Sequence, residues 1–585
     1  MAGEINTLWG DVVADELAKS GIDTAVLCPG SRSTPLTVAV SDHPEIDAVS
    51  QLDERSAAFF ALGYGKRTGM PAPLVCTSGT ALANFHPAVV EADAARVPMV
   101  LLTADRPPEL ADSGANQTID QEDFYGGSVR AYRKLPEPEA ADRKLRSLRT
   151  ALARAVATAT DTEPGPVHLD VPFRKPLEPN AGTDAAPKGV PDGSIDGTEG
   201  LSRLAREGRD GPFVDVTRGR TELPDPRRRS VEAALSKAEG GLVVCGPADG
   251  GVPDPESLSA LAGATGFPVF ADPLSGYRFG PHTEAATVCG GYDGYVSSLA
   301  SDPDVVVRFG ASPTSKPLRH YLRDSGARQF LVDPAGGWRE ATFTATDLVV
   351  ADGTRFANRI AAAVDRDPGA YAATVADREA EYWSLLDRNE PPEGAVIADT
   401  VELAPDPTTL FVSNSMPVRD LDRFGRPHSA DITALGNRGA SGIDGIVSTA
   451  LGAGYGIDEP LVLVIGDLAY YHDMNGLLAV TRAGVDATIV CLNNDGGGIF
   501  HLLPIEEHDS FEEWFRTPHG LDFEHSAALY DLEFARTDDR DRFRELYVDS
   551  TGTEGTQVIE YRTDSERNHD ERRRLEKRIR DRFGE

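Results

Sequence analysis

Short apolar runs alternate with amphipathic segments along this chain, most clearly between residues 461 and 494. Residues 461–465 (LVLVI) predict a buried strand, 473–483 have the apolar spacing and first-turn acid of a helix, and 487–492 (ATIVCL) predict a second strand. A strand–helix–strand unit of this length places its strands parallel, with a right-handed crossover. The repeated pattern therefore predicts an α/β protein built from doubly wound parallel sheets.

The predicted strands form three groups, which indicate three doubly wound α/β domains. They are residues 24–28, 48–52, 73–76, 99–103 and 167–171, then 242–244, 269–271, 305–309, 330–332 and 348–350, then 409–412, 461–465, 488–492 and 558–561. We predict domains at 1–180, 226–370 and 371–585, with a linker rich in Pro, Gly and Asp at 181–225. The charged last twenty residues predict a terminal helix with a solvated face and no catalytic role.

Polar residues follow the predicted strands at the edge where parallel strands end. Asp467 ends one strand, Asn494 follows the next, and Gly496 lies in a glycine-rich loop after it. Open α/β sheets bind ligands at this edge. Carboxylate, amide and backbone carbonyl oxygens suit Mg²⁺, which completes its coordination with water and phosphate oxygens. The alternative is an ordinary strand-end Asp followed by a turn-forming Asn pair.

Composition narrows the class of protein. The net charge is −35, from 93 acidic and 58 basic residues spread along the chain. Such self-repulsion is tolerated where salt screens it, so we predict a cytoplasmic protein of a halophile and expect no nucleic-acid or membrane partner. The five cysteines are scattered and odd in number, which argues against a disulfide framework. No apolar run approaches the ~18 residues of a membrane span, and the N-terminus lacks the pattern of a secretion signal.

Several longer phrases resemble a known family. The GD of residues 466–467, followed one crossover later by NN, resembles the metal–diphosphate motif of thiamine-diphosphate enzymes. The phrases PGSRSTPL, TSGTALANFHPAVVEA, LLTADRPPELADSGANQTIDQ, NRGASGIDG and NNDGGGIF together resemble the 2-succinyl-5-enolpyruvyl-6-hydroxy-3-cyclohexene-1-carboxylate synthases of menaquinone biosynthesis. The resemblance runs from about residue 21 to the C-terminal helix. It implies the thiamine-diphosphate-binding fold, with an N-terminal pyrimidine-binding domain and a C-terminal diphosphate- and metal-binding domain.

The resemblance also implies residues for the cofactor. Glu54 would be the catalytic residue, hydrogen-bonded to N1′ of the aminopyrimidine, although a Glu at a helix start is most often first-turn electrostatics. Ile443 would be the wedge that bends the cofactor, and the alternative is a core isoleucine. Mg²⁺, or Mn²⁺ in its place, would bind Asp467, Asn494 and the carbonyl of Gly496. The full implied cofactor set is Glu54, Gly439, Ile443, Gly466, Asp467, Leu468, Ala469, Asn494, Gly496 and Gly497.

The implied reaction is the decarboxylation of 2-oxoglutarate and the 1,4-addition of the resulting carbanion to isochorismate. Ser415 and Arg419 would hold 2-oxoglutarate, and Ile499 and Phe500 would form an apolar wall. The remaining implied substrate residues are Ser31, Arg32, Arg106, Asn116, Gln117, Lys316 and Arg438. A single arginine is most often a surface ion-pair partner, but several at strand ends indicate substrates with more than one carboxylate. One departure is Pro317, where some family members have Arg after the Lys.

Three alternatives remain open at this point. One is another thiamine-diphosphate carboligase or decarboxylase, similar to acetolactate synthase and acting on pyruvate. Another is a non-catalytic regulatory subunit of the same fold, and a third is an FAD binder, for which no GxGxxG motif opens the central region. In the resembled family the active site lies between two subunits, so a homodimer is the smallest expected assembly and a homotetramer is allowed. His86 and His501 are expected to be structural.

Overall fold

The computed structural model describes residues 2–179, 200–248, 250–386 and 390–584. These residues form three six-stranded sheets, and every strand pairing in them is parallel. The predicted fold class is therefore confirmed. Residues 181–199 of the predicted linker lie outside the described residues, and the predicted domain boundaries stay predictions.

The first sheet has its strands in the order β2-β1-β3-β4-β6-β5. The strands are β1 (Thr24–Leu27), β2 (Asp47–Ser50), β3 (Leu74–Cys76), β4 (Met99–Asp105), β5 (Ala131–Lys134) and β6 (Pro166–Pro172). The order changes direction between β1 and β3, which makes the ends of these strands a topological switch point. The helices are α1 (Ala2–Lys19), α2 (Thr34–Asp42), α3 (Glu54–Thr68), α4 (Ala81–Asn84), α5 (His86–Ala94), α6 (Asp142–Ala159) and α7 (Arg203–Glu207).

The second sheet has the order β12-β11-β10-β7-β8-β9. Its strands are β7 (Gly241–Cys245), β8 (Val269–Ala271), β9 (Val288–Cys289), β10 (Val305–Phe309), β11 (Arg328–Val332) and β12 (Asp347–Val349). The accompanying helices are α8 (Asp225–Lys237), α9 (Pro255–Thr265), α10 (Tyr292–Tyr295), α11 (Lys316–Asp324), α12 (Gly353–Ala361) and α13 (Ala370–Leu386).

The third sheet has the order β14-β13-β15-β16-β18-β17, so its switch point lies between β13 and β15. Its strands are β13 (Thr408–Val412), β14 (Ile432–Leu435), β15 (Leu461–Gly466), β16 (Thr488–Asn493), β17 (Glu533–Thr537) and β18 (Gln557–Arg562). The remaining helices are α14 (Pro392–Glu402), α15 (Met416–Phe424), α16 (Ile446–Ala453), α17 (Asp467–Asp473), α18 (Leu478–Ala483), α19 (Glu524–Leu529), α20 (Arg540–Thr551) and α21 (Ser565–Phe583).

The chain divides into two compact units. The first is Met1–Arg218 with Gly439–Gly456 and Asp473–Val485, and the second is Gly219–Arg438 with Ile457–His472 and Asp486–Glu585. The first unit therefore takes two segments from late in the sequence. One of them contains α16, all of whose residues are buried, and α16 packs on α3.

Two helix predictions need correction. The crossover helix predicted at 473–483 begins earlier, at Asp467 directly after β15, and its middle is a 3₁₀ turn at Met474–Leu477. The C-terminal helix α21 is not merely solvated: Leu575, Ile579 and Phe583 are buried in an apolar cluster of the second unit. Apolar residues recur at helical spacing on its inner face, and most of its charged residues lie on the outer face, although Arg572 is buried.

All five cysteines are buried, and at least one belongs to each sheet. Cys28 and Cys76 lie at the ends of β1 and β3, Cys245 and Cys289 end β7 and β9, and Cys491 is in β16. Burial raises the thiol pKa of each one above its usual value. Among the described residues, no helix is both long and apolar enough to cross a bilayer.

Candidate active site

Asp467 and Gly496 meet at the ends of two neighbouring strands of the third sheet. In the β15–β16 pairing Gly466 lies opposite Leu492, so the segments that follow the two strands leave the sheet at the same edge. The Asp467 carboxylate is 3% exposed; its Oδ1 accepts from the Leu468 amide at 2.7 Å and its Oδ2 from the Gly496 amide at 3.0 Å. Two predicted ligand residues are therefore brought together.

Asn494 directly follows β16, at the same edge of the sheet. Its Nδ2 donates to Glu393 Oε1 at 2.9 Å, whereas its Oδ1 is buried and has no hydrogen-bond partner. A buried amide oxygen without a partner is unfavourable unless a ligand satisfies it. Among the described residues no three His, Cys, Asp or Glu side chains form a metal cluster. The donors available here, one carboxylate with amide and backbone oxygens, fit Mg²⁺, which needs few protein ligands.

The glycines around this group differ in their reason for being glycine. Gly496 has φ +144°, and a Cβ there would lie 2.1 Å from the Arg516 carbonyl oxygen, so the fold itself requires glycine. A Cβ on Gly466 would meet no protein atom within 4 Å, so protein packing does not explain that glycine. The role of Gly466 in cofactor binding stays a prediction. Gly497 donates its amide to the Arg516 carbonyl at 2.7 Å, and Ala469 is buried in α17.

His519 is a neighbour of Asp467 that the sequence did not predict. Its Nε2 lies 3.3 Å from Asp467 Oδ2, and its Nδ1 lies 3.5 Å from Asp495 Oδ1. The hydrogen bond to Asp467 raises the pKa of His519. It comes from a loop 52 residues further along the chain, so no local pattern could have predicted the contact.

Three arginines of the second unit cluster near the ends of β13 and β14. They are Arg419 in α15, Arg438 after β14, and Arg319 in α11, which was not predicted from the sequence. Burial, followed by repulsion from Arg438, lowers the pKa of both Arg319 and Arg419. Their hydrogen bonds go to neutral oxygens: Arg319 to the Pro313 carbonyl, Arg419 to the Ser415 carbonyl and Arg438 to Asn414 Oδ1. Adjacent guanidinium groups of this kind favour a polyanionic ligand.

Ser415 and Lys316 lie close to those arginines in sequence, whereas Ile499 and Phe500 do not. Ser415 precedes α15 with φ +70°, a conformation rare for a non-glycine residue and typical of functional sites. Lys316 is exposed at the start of α11, one turn before Arg319, and Pro317 occupies the first turn, where proline is favoured. Ile499 and Phe500 lie in a 3₁₀ turn at Gly498–Leu502, and Phe500 packs edge-on against Phe515.

The first unit brings five predicted residues to the ends of β1, β3 and β4. Arg32, 5% exposed, donates to the Phe173 carbonyl at 2.6 Å, and burial together with the nearby Arg106 lowers its pKa. Arg106 donates to the Asn116 carbonyl at 2.7 Å. Gln117 Nε2 donates to the Ser78 carbonyl at 3.0 Å. Ser31 is exposed at the start of the turn after β1.

Glu54 is the first residue of α3 and is half-buried. The helix starts there because Asp53, the N-cap, accepts from the amides of Arg55 and Ser56. The cap uses the Asp53 side chain, so the Glu54 carboxylate is left for other contacts. Glu54 belongs to the first unit and Asp467 to the second.

A buried acid that was not predicted from the sequence binds the start of the glycine-rich segment at residues 439–445. Glu91 in α5 is 3% exposed, and its carboxylate accepts from the amides of Gly439, Ala440 and Ser441 at 2.8, 2.6 and 3.1 Å. Ile443 follows two residues later and is 37% exposed. It is therefore not a core isoleucine, and its role as a wedge stays a prediction.

Asp473 gives a prediction for stability. It is fully buried, it accepts from the Ser448 amide at 2.7 Å, and burial raises its pKa from 3.8 to about 6. An acid whose pKa is higher in the folded state destabilises the fold once it is ionised. We expect Asp473→Asn to raise the free energy of unfolding at pH 8 by about 3 kcal/mol. The gain should shrink as pH falls through 6 and disappear near pH 4, because wild-type Asp473 is then protonated.

Denaturant unfolding between pH 4 and pH 8 in high salt measures this difference. Asp486→Asn is the control, because Asp486 is exposed and the same charge is removed. Identical pH profiles for Asp473→Asn and wild type would contradict the prediction.

Two family models match the chain. The N-terminal TPP-binding domain of thiamine pyrophosphate enzymes matches residues 9–124, and the C-terminal TPP-binding domain matches residues 431–561. The chain is also similar to a solved Rhodococcus jostii thiamine diphosphate-dependent 4-hydroxybenzoylformate decarboxylase, with a TM-score of 0.71 and 17% identity, over 95% of this chain and 99% of that one. That likeness shows the fold.

Curated relatives are similar over almost their whole length. A 2-succinyl-5-enolpyruvyl-6-hydroxy-3-cyclohexene-1-carboxylate synthase of Natronomonas pharaonis is 70% identical, covering 99% of each chain. The Haloarcula marismortui protein of the same name is 59% identical over 99% of this chain and 98% of its own. That of a Roseiflexus species is 45% identical over 96% of each. The chain therefore belongs to the 2-succinyl-5-enolpyruvyl-6-hydroxy-3-cyclohexene-1-carboxylate synthase family of thiamine-diphosphate-dependent enzymes.

Proposed function

We propose that this chain decarboxylates 2-oxoglutarate and adds the four-carbon unit to isochorismate, giving 2-succinyl-5-enolpyruvyl-6-hydroxy-3-cyclohexene-1-carboxylate and CO₂ in menaquinone biosynthesis. The observation that carries the proposal is the 70% identity, over 99% of both chains, to a relative named for this product. The strand-end oxygens and the clustered arginines supply the matching chemistry. Bound thiamine diphosphate would supply the electron sink for the decarboxylation.

Asp467, Asn494 and the Gly496 carbonyl would bind Mg²⁺, or Mn²⁺, and through it the diphosphate. Support comes from the buried, unpartnered Oδ1 of Asn494 and from the Gly496 amide bonded to Asp467. Glu54 would hold a proton at N1′ of the aminopyrimidine, because a carboxyl group is both donor and acceptor. The Ile443 side chain, which protein packing leaves partly exposed, would support the bent cofactor. The other cofactor contacts would come from Gly439, Gly466, Leu468, Ala469 and Gly497.

The two sets of cations would bind the substrates. In the second unit, Ser415, Arg419 and Arg438 would hold carboxylates of 2-oxoglutarate, and Lys316 a carboxylate of isochorismate. We add Arg319, which lies one turn beyond Lys316 and would supply the second cation that Pro317 cannot. In the first unit the carboxylates and hydroxyl of isochorismate would contact Ser31, Arg32, Arg106, Asn116 and Gln117. Ile499 and Phe500 would exclude water beside the reacting carbon.

The direct test is an assay of the purified protein in high salt with Mg²⁺ and thiamine diphosphate. We expect CO₂ release from 2-oxoglutarate and consumption of isochorismate in equal amounts. Release of CO₂ from pyruvate, without consumption of isochorismate, would instead favour an enzyme similar to acetolactate synthase. Size measurement by light scattering in the same buffer tests the proposed homodimer, and a monomer that retains full activity would contradict it.

Arg319→Met tests the added residue. We expect kcat/KM to fall roughly 10- to 150-fold for the substrate whose carboxylate Arg319 binds. The reason is that one charged hydrogen bond is worth about 1.5–3 kcal/mol. The effect should lie mainly in KM, since the contact is made in the bound substrate as well as in the transition state. Arg323→Met on the same helix is the control, as Arg323 is exposed and paired with Asp324. Equal kinetics for the two variants would remove Arg319 from the site.

A further inference from the structure

Glu393 is a buried acid that hydrogen-bonds Asn494, a residue of the proposed metal site. It is the second residue of α14, is 2% exposed, and lies 101 residues before Asn494 in the sequence. Its Oε1 accepts two hydrogen bonds at 2.9 Å, from Asn494 Nδ2 and from Thr563 Oγ1. Its Oε2 lies 4.0 Å from the guanidinium of Arg572. One carboxylate oxygen thus faces two donors, and the other faces a cation.

This arrangement decides which end of the Asn494 amide points away from Glu393. The two ends of an amide are nearly equal in size, but one only donates and the other only accepts. Glu393 Oε1 is a hydrogen-bond acceptor. It can therefore bond the NH₂ end of the Asn494 amide, and it repels the oxygen end. The Asn494 oxygen is then turned to the opposite side, where it is buried without a protein partner.

We propose that Glu393 is a positioning residue that holds the Asn494 oxygen toward the metal ion; the inference rests on the proposed metal site. With the amide reversed, Nδ2 hydrogens would face the cation and repel it. Partners that orient metal ligands in this way commonly change metal affinity 10- to 100-fold when altered. Arg572 is part of the arrangement because it fixes which carboxylate oxygen is left for Asn494.

The C-terminal helix is thereby connected to the site. Arg572 lies in α21 and also pairs with the buried Asp420, and the Glu393 amide donates to Asn568 Oδ1 in the same helix. A buried carboxylate is stable only when cations and donors surround it. Residues of α21 supply them, so this helix supports the orientation of Asn494 through Glu393.

Glu393→Gln is the decisive variant because it keeps the size of the side chain. The glutamine oxygen should turn toward Arg572, which leaves Nε2 facing Asn494. A donor there bonds the Asn494 oxygen and reverses its amide. We expect the Kd for Mn²⁺, measured by electron paramagnetic resonance with thiamine diphosphate present, to rise 10- to 100-fold. Thr563→Val removes the other hydrogen bond to Glu393 without supplying a donor, and should stay within about twofold of wild type.

A double variant separates orientation from general damage. In Glu393→Gln/Asn494→Asp, one Asp oxygen can accept from the Gln amide while the other faces the metal, so Mn²⁺ affinity should recover at least tenfold over the single variant. Thermal melting without metal checks that each protein folds. Equal Mn²⁺ affinity in wild type and Glu393→Gln, or no recovery in the double variant, would overturn the inference. Failure of the wild type to bind Mn²⁺ would instead overturn the metal site itself.

Discussion

Glu54→Gln is expected to lower kcat roughly 10²- to 10⁴-fold while leaving the affinity for thiamine diphosphate nearly unchanged. Glutamine matches glutamate in size and can still accept a hydrogen bond, so the binding contact survives. Its amide cannot exchange a proton with N1′ as a carboxyl group can, so the proposed proton transfer is lost. The backbone should not change, because the N-cap of α3 is Asp53. Steady-state kinetics and calorimetric titration with the cofactor measure the two quantities separately.

Glu45→Gln is the matched control, since Glu45 is an exposed glutamate of the same unit. It removes the same charge and should turn over at the wild-type rate. If Glu54→Gln also turns over normally, Glu54 is not the proton-holding group. Loss of cofactor binding in Glu54→Gln would show that the residue acts in binding instead.

Gly452→Val is expected to destabilise the protein by at least about 3 kcal/mol or to prevent folding. Helices α3 and α16 approach each other at two glycines. A Cβ on Gly452 would lie 1.9 Å from the Phe60 carbonyl oxygen, and a Cβ on Gly63 would lie 1.9 Å from that of Thr449. Both obstacles are backbone atoms of a packed helix, so no side-chain rotation relieves the overlap and the helices must separate. The yield of soluble protein and denaturant unfolding measure the effect.

Gly263→Ala is the control for this prediction. Gly263 is an exposed glycine inside α9, and a Cβ there would meet nothing within 4 Å. Alanine should stabilise that helix by about 0.5–1 kcal/mol, because glycine is the poorer helix former. A Gly452→Val protein as stable as the Gly263→Ala protein would show that the contact between α3 and α16 can relax.

The apolar pattern predicted every central strand of the three sheets but only two of the six edge strands, β2 and β12. Every predicted strand is present, but β5, β9, β14 and β17 were missed, and all four are edge strands. An edge strand has a neighbour on one side only and can be partly exposed, as β5 and β17 are, so it lacks a continuous apolar run. The helix at Asp467 was placed too late because its first turn follows β15 without a loop.

Site residues divide in a similar way. Motif phrases predicted the residues at strand ends, and the structure brings Asp467 to Gly496 and Arg106 to Asn116. Arg319, Glu393 and His519 were not predicted, because their roles arise from contacts between distant parts of the chain. Only Arg319 had a local signal, its position one helical turn after Lys316. The assignment of all these residues to cofactor and substrates stays a proposal.

The buried cysteines allow the opening of each sheet to be detected by chemical labelling of its own thiol groups. Alkylating reagents attack the thiolate, and each of these thiols is both shielded and held protonated by burial. Labelling at Cys76, Cys245 or Cys491 therefore requires the surrounding strands to part. Peptide mass mapping after brief exposure to such a reagent would show, without any engineered probe, which of the three sheets yields first as salt is withdrawn from this highly acidic chain.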